Sequence, residues 1–260
     1  VAVQPGSSER TLLLTRPRAQ AEDWVARMAA QGVPTAVLPL IAIQPGMAPD
    51  AAALAWRELP RAALAMFVSP NAVAAFFAAQ PAGMAWPGAT LAATVGPGSA
   101  LALRAAGVPA ELIVQPPADA ASFDSEHLWP LLAGRDWAGR LALILRGDGG
   151  RDWLAERLQE RGAQVRQISV YRRACPQLDP AERGLLDAAL AAPERMVWLF
   201  SSSEAIGHLQ QLAGPGAVWS RSLAIATHER IAERAKALGC GHVVLARPEP
   251  GAIAAALRSL

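Results

Sequence analysis

The sequence predicts an α/β fold with parallel sheets, and three observations carry that prediction. Short apolar runs alternate with amphipathic helical patterns along the chain. Each passage from run to helix goes through a few small or polar residues, and each helix gives way to the next run through a glycine. Phrases of the first half also return about 130 residues later, which is half of the 260-residue chain.

The elements follow in order. "LLLTRPRAQAEDW" opens as a strand and continues as a helix, in which Ala21, Trp24, Val25, Met28 and Ala29 fall on one face. The same strand-to-helix passage recurs in "MFVSPNAVAAFF", "AATVGPGSALAL", "LILRGDGGRDWL", "WLFSSSEAIGHL" and "AIATHERIAERA". In the last of these helices Ile231, Ala235 and Leu238 share a face. Gly32, Gly107, Gly162 and Gly239 stand where helices end, in the left-handed position that glycine takes at little cost.

The repeat pairs "LTRPRAQAEDWVARMAAQG" with "LRGDGGRDWLAERLQERG", so that Arg16 answers Arg146 and Asp23-Trp24 answers Asp152-Trp153. "FVSPNAV" pairs with "FSSSEAI", and "ATVGPGSA" with "AIATHER". An internal duplication is the simplest account, and it implies two similar lobes.

Composition narrows the function. With 52% hydrophobic residues and a net charge of +2, the chain can bury a core and lacks the basic excess of a nucleic-acid binder. Lys236 is its only lysine, so positive charge is carried by arginine forks that match planar carboxylates. Cys175 and Cys240 are far apart, as expected of free thiols in a reducing cytoplasm. The opening "VAVQPGSSER" has no leader pattern, and no apolar run approaches the roughly 18 residues of a membrane span.

"RGDGGRDW" invites a phosphate-loop reading, but it contains neither GxxxxGK[ST] nor GxGxxG. Its counterpart "TRPRAQAEDW" has no glycine, which a dedicated phosphate cradle would not tolerate. His127, His208, His228 and His242 show no metal spacing, and no GxSxG elbow is present. What remains is a set of loops at the carboxyl edges of parallel strands, rich in helix N-terminal amides that receive anions. Ser69, Asn71, Ser99, Ser202 and Ser203 lie in these loops as caps or outward donors. Facing loops of this kind suit a large ligand with many carboxylates or phosphates. Tyr171, the only tyrosine, sits in "SVYRR".

Taken together in order, "LLLTRP", "FVSPNAV", "VGPGSA", "LILRGDGGRDWL", "SVYRR" and "FSSSEAI" resemble the uroporphyrinogen-III synthase family from end to end. The resemblance implies two flavodoxin-like α/β lobes joined by a two-stranded β linker. Residues 1–40 and 172–260 would form one lobe and 41–171 the other, with linkers near 38–43 ("LPLIAI") and 168–174 ("ISVYRRA"). It further implies a cytoplasmic, monomeric lyase of haem biosynthesis that needs no metal or organic cofactor and binds neither nucleic acid nor membrane. Its substrate would be hydroxymethylbilane, with transient contact to the hydroxymethylbilane synthase that supplies it.

In this family reading Tyr171 assists departure of the substrate hydroxyl. Arg16, Ser69, Asn71, Gly96, Ser99, Arg146, Ser202, Ser203, Thr227 and His228 bind the substrate. One departure stands out. Relatives often carry a proline-threonine-threonine run where this chain has "ATHER", so Thr227 aligns loosely and His228 stands in a hydroxyl's place. The rival reading is a non-catalytic two-lobed binding protein for a polyanionic small molecule.

Overall fold

The computed structural model describes residues 10–260 apart from Pro49, Ala118 and Ala121. The opening residues read above for a leader therefore lie almost wholly outside the described part. Along the chain come β1 (Thr11–Leu14), α1 (Arg18–Ala29), β2 (Thr35–Val37), β3 (Ala42–Pro45), α2 (Ala51–Glu58), β4 (Ala62–Phe67) and α3 (Pro70–Ala78). Next are β5 (Leu91–Thr94), α4 (Pro97–Ala105), β6 (Ile113–Val114), α5 (Ser125–Leu132), β7 (Leu141–Gly147), α6 (Trp153–Glu160) and β8 (Gln164–Ala174). The last third holds α7 (Pro180–Ala191), β9 (Met196–Phe200), α8 (Ser203–Ala213), β10 (Leu223–Ala226), α9 (Glu229–Leu238), β11 (His242–Leu245) and α10 (Pro250–Ser259).

Two compact units result. One takes the chain up to Ala42 together with Ala174–Leu260, and the other is Ile43–Arg173. The first is built on a five-stranded sheet of order β11-β10-β9-β1-β2, the second on a six-stranded sheet of order β3-β8-β7-β4-β5-β6. Pairing is parallel between β1 and both β2 and β9, and likewise for β9–β10, β10–β11, β4–β5, β4–β7, β5–β6 and β7–β8. By its own chain order the five-stranded sheet runs 2-1-3-4-5, the flavodoxin order.

The six-stranded sheet repeats that order with β8-β7-β4-β5-β6, so β7 and β8 hold the places of β1 and β2. Apart from β3, each half of the sequence repeat thus gives two strands to one sheet and three to the other. The β linker is not a free ribbon. β3 and the 11-residue β8 are neighbours inside the six-stranded sheet, with Gln164–Tyr171 of β8 paired to β7.

Period two divides the second unit's core between the faces of its sheet. Ala65, Phe67, Leu143 and Leu145 join Trp56, Phe76 and Tyr171 on one side. Leu64, Met66, Ala142 and Ile144 join Leu128, Trp137 and Leu154 on the other. In α1 the predicted stripe is buried at Ala21, Trp24 and Met28, while Val25 is partly covered and Ala29 exposed. In α9 Ile231, Ala235 and Leu238 are buried as expected, and Ala232 with them. Gly239 ends α9 at φ +103°, a conformation that a Cβ would strain.

Candidate active site

At the carboxyl edge of the six-stranded sheet the loops after β4 and β7 meet at Tyr171. Ser69 stands at the start of α3 with extended backbone, and its Oγ accepts the N–H of Ala72 at 3.2 Å. The same Oγ lies 3.0 Å from the Tyr171 hydroxyl, across 102 residues of sequence. Because Ser69 already accepts the Ala72 amide, its own proton can go to the Tyr171 oxygen, leaving the phenol proton to be donated elsewhere. Hydrogen bonds in such a chain polarise one another.

A bulge aims the tyrosine. Arg146 pairs with Ser169 and Gly147 pairs with Tyr171, so Val170 is the extra residue, and Val170 and Tyr171 are both buried in succession. Gly147 is what the ring rests on: a Cβ there would stand 2.8 Å from the Tyr171 Cζ. Gly46, after β3, has the same tight fit, with a Cβ only 2.5 Å from the carbonyl oxygen of Ser169. Sequence reading singled out Tyr171 and missed both glycines. Nothing local marks them, because the contact comes from strand register.

The predicted residues of this unit divide between two sides. Asn71 and Tyr171 line a cavity of about 340 Å³ with Gln44, Ala75 and Val170. Arg146 lines another, of about 250 Å³, with Met66, Ile144 and Arg151. Gly96 caps α4 through its backbone, and Ser99 is buried in the first turn of that helix.

Arg146 is occupied by its own loop. Its Nε donates to the Gly149 carbonyl at 3.1 Å, and Nη1 donates to Asp152 at 2.7 Å and also to Gln167. That bond to Arg146 holds the Asp152 carboxyl below its usual range. Gly150, at φ +118°, leaves room for the guanidinium, since a Cβ would sit 2.7 Å from Nη2. The glycines of "RGDGGRDW" thus fold around an arginine, and the phosphate-like look of that stretch has this physical cause.

In the first unit the carboxyl edge carries Arg16, Ser202, Ser203, Thr227 and His228 on the loops after neighbouring β1, β9 and β10. Thr15 Oγ1 donates to the Leu199 carbonyl at 2.6 Å and binds the first loop to β9. Ser202 caps α8 by accepting the Glu204 N–H at 3.2 Å, and Ser203 is the exposed first residue of that helix. Thr227 donates its N–H to the Phe200 carbonyl at 3.1 Å. His228 caps α9 with Nδ1, accepting the Arg230 N–H at 3.2 Å, which leaves Nε2–H as a donor.

Arg16 stacks on Trp24 at 4.6 Å, and among the described residues its buried Nε has no hydrogen-bond partner. Burial, and then the like charge of Arg27, lowers its pKa from the ordinary arginine value. His208 is structural: its Nδ1–H donates to the Leu40 carbonyl at 2.7 Å and fixes the chain as it leaves this unit.

Comparison with known proteins agrees with this architecture. The family model described as uroporphyrinogen-III synthase HemD matches residues 22–255. A uroporphyrinogen-III synthase of Escherichia coli K12 is 34% identical over 121 residues, 44% of this chain and 47% of that enzyme. One of Salmonella typhimurium is 44% identical over 61 residues, 24% of this chain and 25% of that enzyme. The chain thus spans less than half the length of these curated relatives in either match. Among solved structures, the uroporphyrinogen-III synthetase of Helicobacter pylori covers 96% of this chain and 98% of its own, at 16% identity and TM-score 0.57. A mutant uroporphyrinogen III synthase of Thermus thermophilus covers the same shares at 19% identity and TM-score 0.55. At such identities these two speak for the fold, whereas the family model spans nearly the whole sequence. The chain belongs to the uroporphyrinogen-III synthase family.

Proposed function

We propose that the protein is a hydro-lyase that converts hydroxymethylbilane into uroporphyrinogen III and water. The observation that carries this reading is the hydrogen-bonded chain from the Ala72 amide through Ser69 to Tyr171, within a chain of this family. Hydroxymethylbilane is a linear tetrapyrrole with four acetates and four propionates. The Tyr171 phenol donates its hydrogen bond to the departing hydroxyl.

Loss of that hydroxyl leaves an azafulvenium electrophile. Its carbon is attacked by the substituted position of ring D, which gives a spiro intermediate that fragments and recloses with ring D inverted. A proton leaves in the final closure, so the net change is loss of water.

The bilane closes unaided to the symmetric isomer I, so catalysis consists mostly of choosing a conformation. That suits a protein whose candidate site has one buried phenol and many helix starts. In this reading the caps at Ser202 and His228, the first turn at Ser203, Thr227 and the stacked Arg16 receive substrate carboxylates. Asn71, Gly96 and Ser99 do the same in the second unit. Arg146 acts indirectly, by holding the loop that carries Gly147 against the Tyr171 ring. The protein works as a cytoplasmic monomer, downstream of the deaminase that makes the bilane. No helix of the described residues is long and apolar enough to cross a membrane.

The test is an isomer assay on freshly prepared hydroxymethylbilane, with the oxidised products separated by chromatography. A product dominated by isomer III is expected. Isomer I at the uncatalysed rate would overturn the proposal and leave a binding protein.

A further inference from the structure

The winding of the six-stranded sheet reverses between β7 and β4, and open α/β sheets bind ligands beyond the carboxyl ends of strands at such a switch. The 250 Å³ cavity lies there, floored by Met66, Val95, Ile144 and Leu154. Phe123 and Val68 stand in its wall and are 45% and 37% exposed, so apolar surface is left open to water at the mouth. The volume falls below the roughly 300–1,000 Å³ of pockets that enclose a drug-sized ligand, and it suits a single ring with short side chains.

Three charged groups line this apolar space: Asp124, Arg146 and Arg151. Asp124, at the start of α5, accepts the His127 N–H at 2.9 Å and its Nδ1–H at 2.6 Å, which fixes the carboxylate in place. Arg151 donates from both terminal nitrogens to the two carboxylate oxygens of Glu126, at 2.6 and 3.0 Å. Both side chains of that pair are open to solvent, where an ion pair adds little net stability and a second carboxylate can replace the first. Arg146 in the same wall is spent on Gly149, Asp152 and Gln167, so Arg151 is the arginine able to change partner.

Building on the synthase reading, we propose that this cavity seats one carboxylated pyrrole ring of the bilane. Arg151 exchanges Glu126 for a carboxylate of that ring, and Asp124 accepts the pyrrole N–H. The apolar floor takes the ring face, and the fork geometry that now holds Glu126 fits an acetate or propionate equally well. Glu126 is then an internal competitor that keeps the arginine oriented until the ring arrives.

The experiment titrates the whole protein calorimetrically with a monopyrrole bearing one acetate and one propionate, with its dimethyl ester as control. Arg151→Gln should weaken binding about tenfold, the loss of one charge-assisted hydrogen-bonded pair. Glu126→Gln should tighten it several-fold, because the competing carboxylate is gone. A merely structural ion pair would be lost in both variants, and both would then shift binding the same way or not at all. That result, absence of binding by the wild type, or equal binding of the ester overturns the subsite. Isomer III formed by a protein that fails this titration removes the subsite and keeps the synthase. The expected pattern in a protein that gives only isomer I keeps the subsite and removes the synthase.

Discussion

Arg16 and Arg146 hold the same place in the repeat, at the end of a strand and ahead of an Asp-Trp helix, yet they are used differently. Arg146 is spent on Gly149, Asp152 and Gln167, and Gly150 of its loop makes room for it. Arg16 has no such loop, lies against Trp24 and, among the described residues, leaves a buried Nε unpaired. Ser69 and Ser202 differ in the same sense. Both cap a helix, but only Ser69 also reaches a tyrosine. Duplication has kept the backbone scheme, which is set by capping and periodicity, while each copy has filled its loops for a separate task. In the proposed enzyme both units bind substrate, and the Ile43–Arg173 unit alone also carries the leaving-group chemistry.

The largest effect that would sharpen this contrast is expected from Tyr171→Phe. Turnover should fall on the order of 10²-fold, the usual contribution of a positioned acid, with the melting temperature and isomer choice kept. An unchanged rate would make the tyrosine a core residue only. Gly147→Ala comes next. Its methyl displaces the Tyr171 ring, and a loss of roughly tenfold in kcat is expected while secondary structure by circular dichroism stays the same.

Ser69→Ala and Ser202→Ala set the two copies side by side. Each removes a helix cap and should lower stability by about 1 kcal/mol in denaturant titrations. Only Ser69→Ala should lower kcat, whereas Ser202→Ala should raise KM. Equal kinetic effects from the two would break the division of labour.

The smallest effect is one of pH. The side-chain hydrogen bond from His127, backed by the His127 backbone N–H, holds the Asp124 carboxyl down to about 2 against an ordinary 3.8. A carboxyl lowered in the folded state stabilises above its ordinary value and ceases to do so as pH falls through the lowered one. Amide exchange in the first turn of α5 should therefore stay slow down to pH near 3.8 and speed up toward pH 2.

Much of the scaffold was legible because it rests on local rules. Alternating runs gave the α/β class, and the glycines at 32, 107, 162 and 239 all take positive φ where helices end. The caps at Ser69 and Ser202 were likewise visible from type and position, whereas the His228 cap was not, because histidine is not a residue type that marks a helix start. The remainder depends on pairing across long separations. Residues 69 and 171 meet only because β8 lies beside β7 and a bulge at Val170 turns the ring toward α3. That Asn71 and Arg146 line different cavities follows from which helices cover which side of the sheet. Arg151 lay in the quoted glycine loop, but its partner Glu126 is 25 residues away on α5. Nothing in "RGDGGRDW" marks it as the exchangeable arginine.

The most direct test of the account is an isomer-resolved turnover assay of the wild type beside Tyr171→Phe on freshly made hydroxymethylbilane. The account predicts isomer III from both, formed far more slowly by the variant. Isomer I from the wild type at the uncatalysed rate, or equal rates of isomer III from the two proteins, would contradict it.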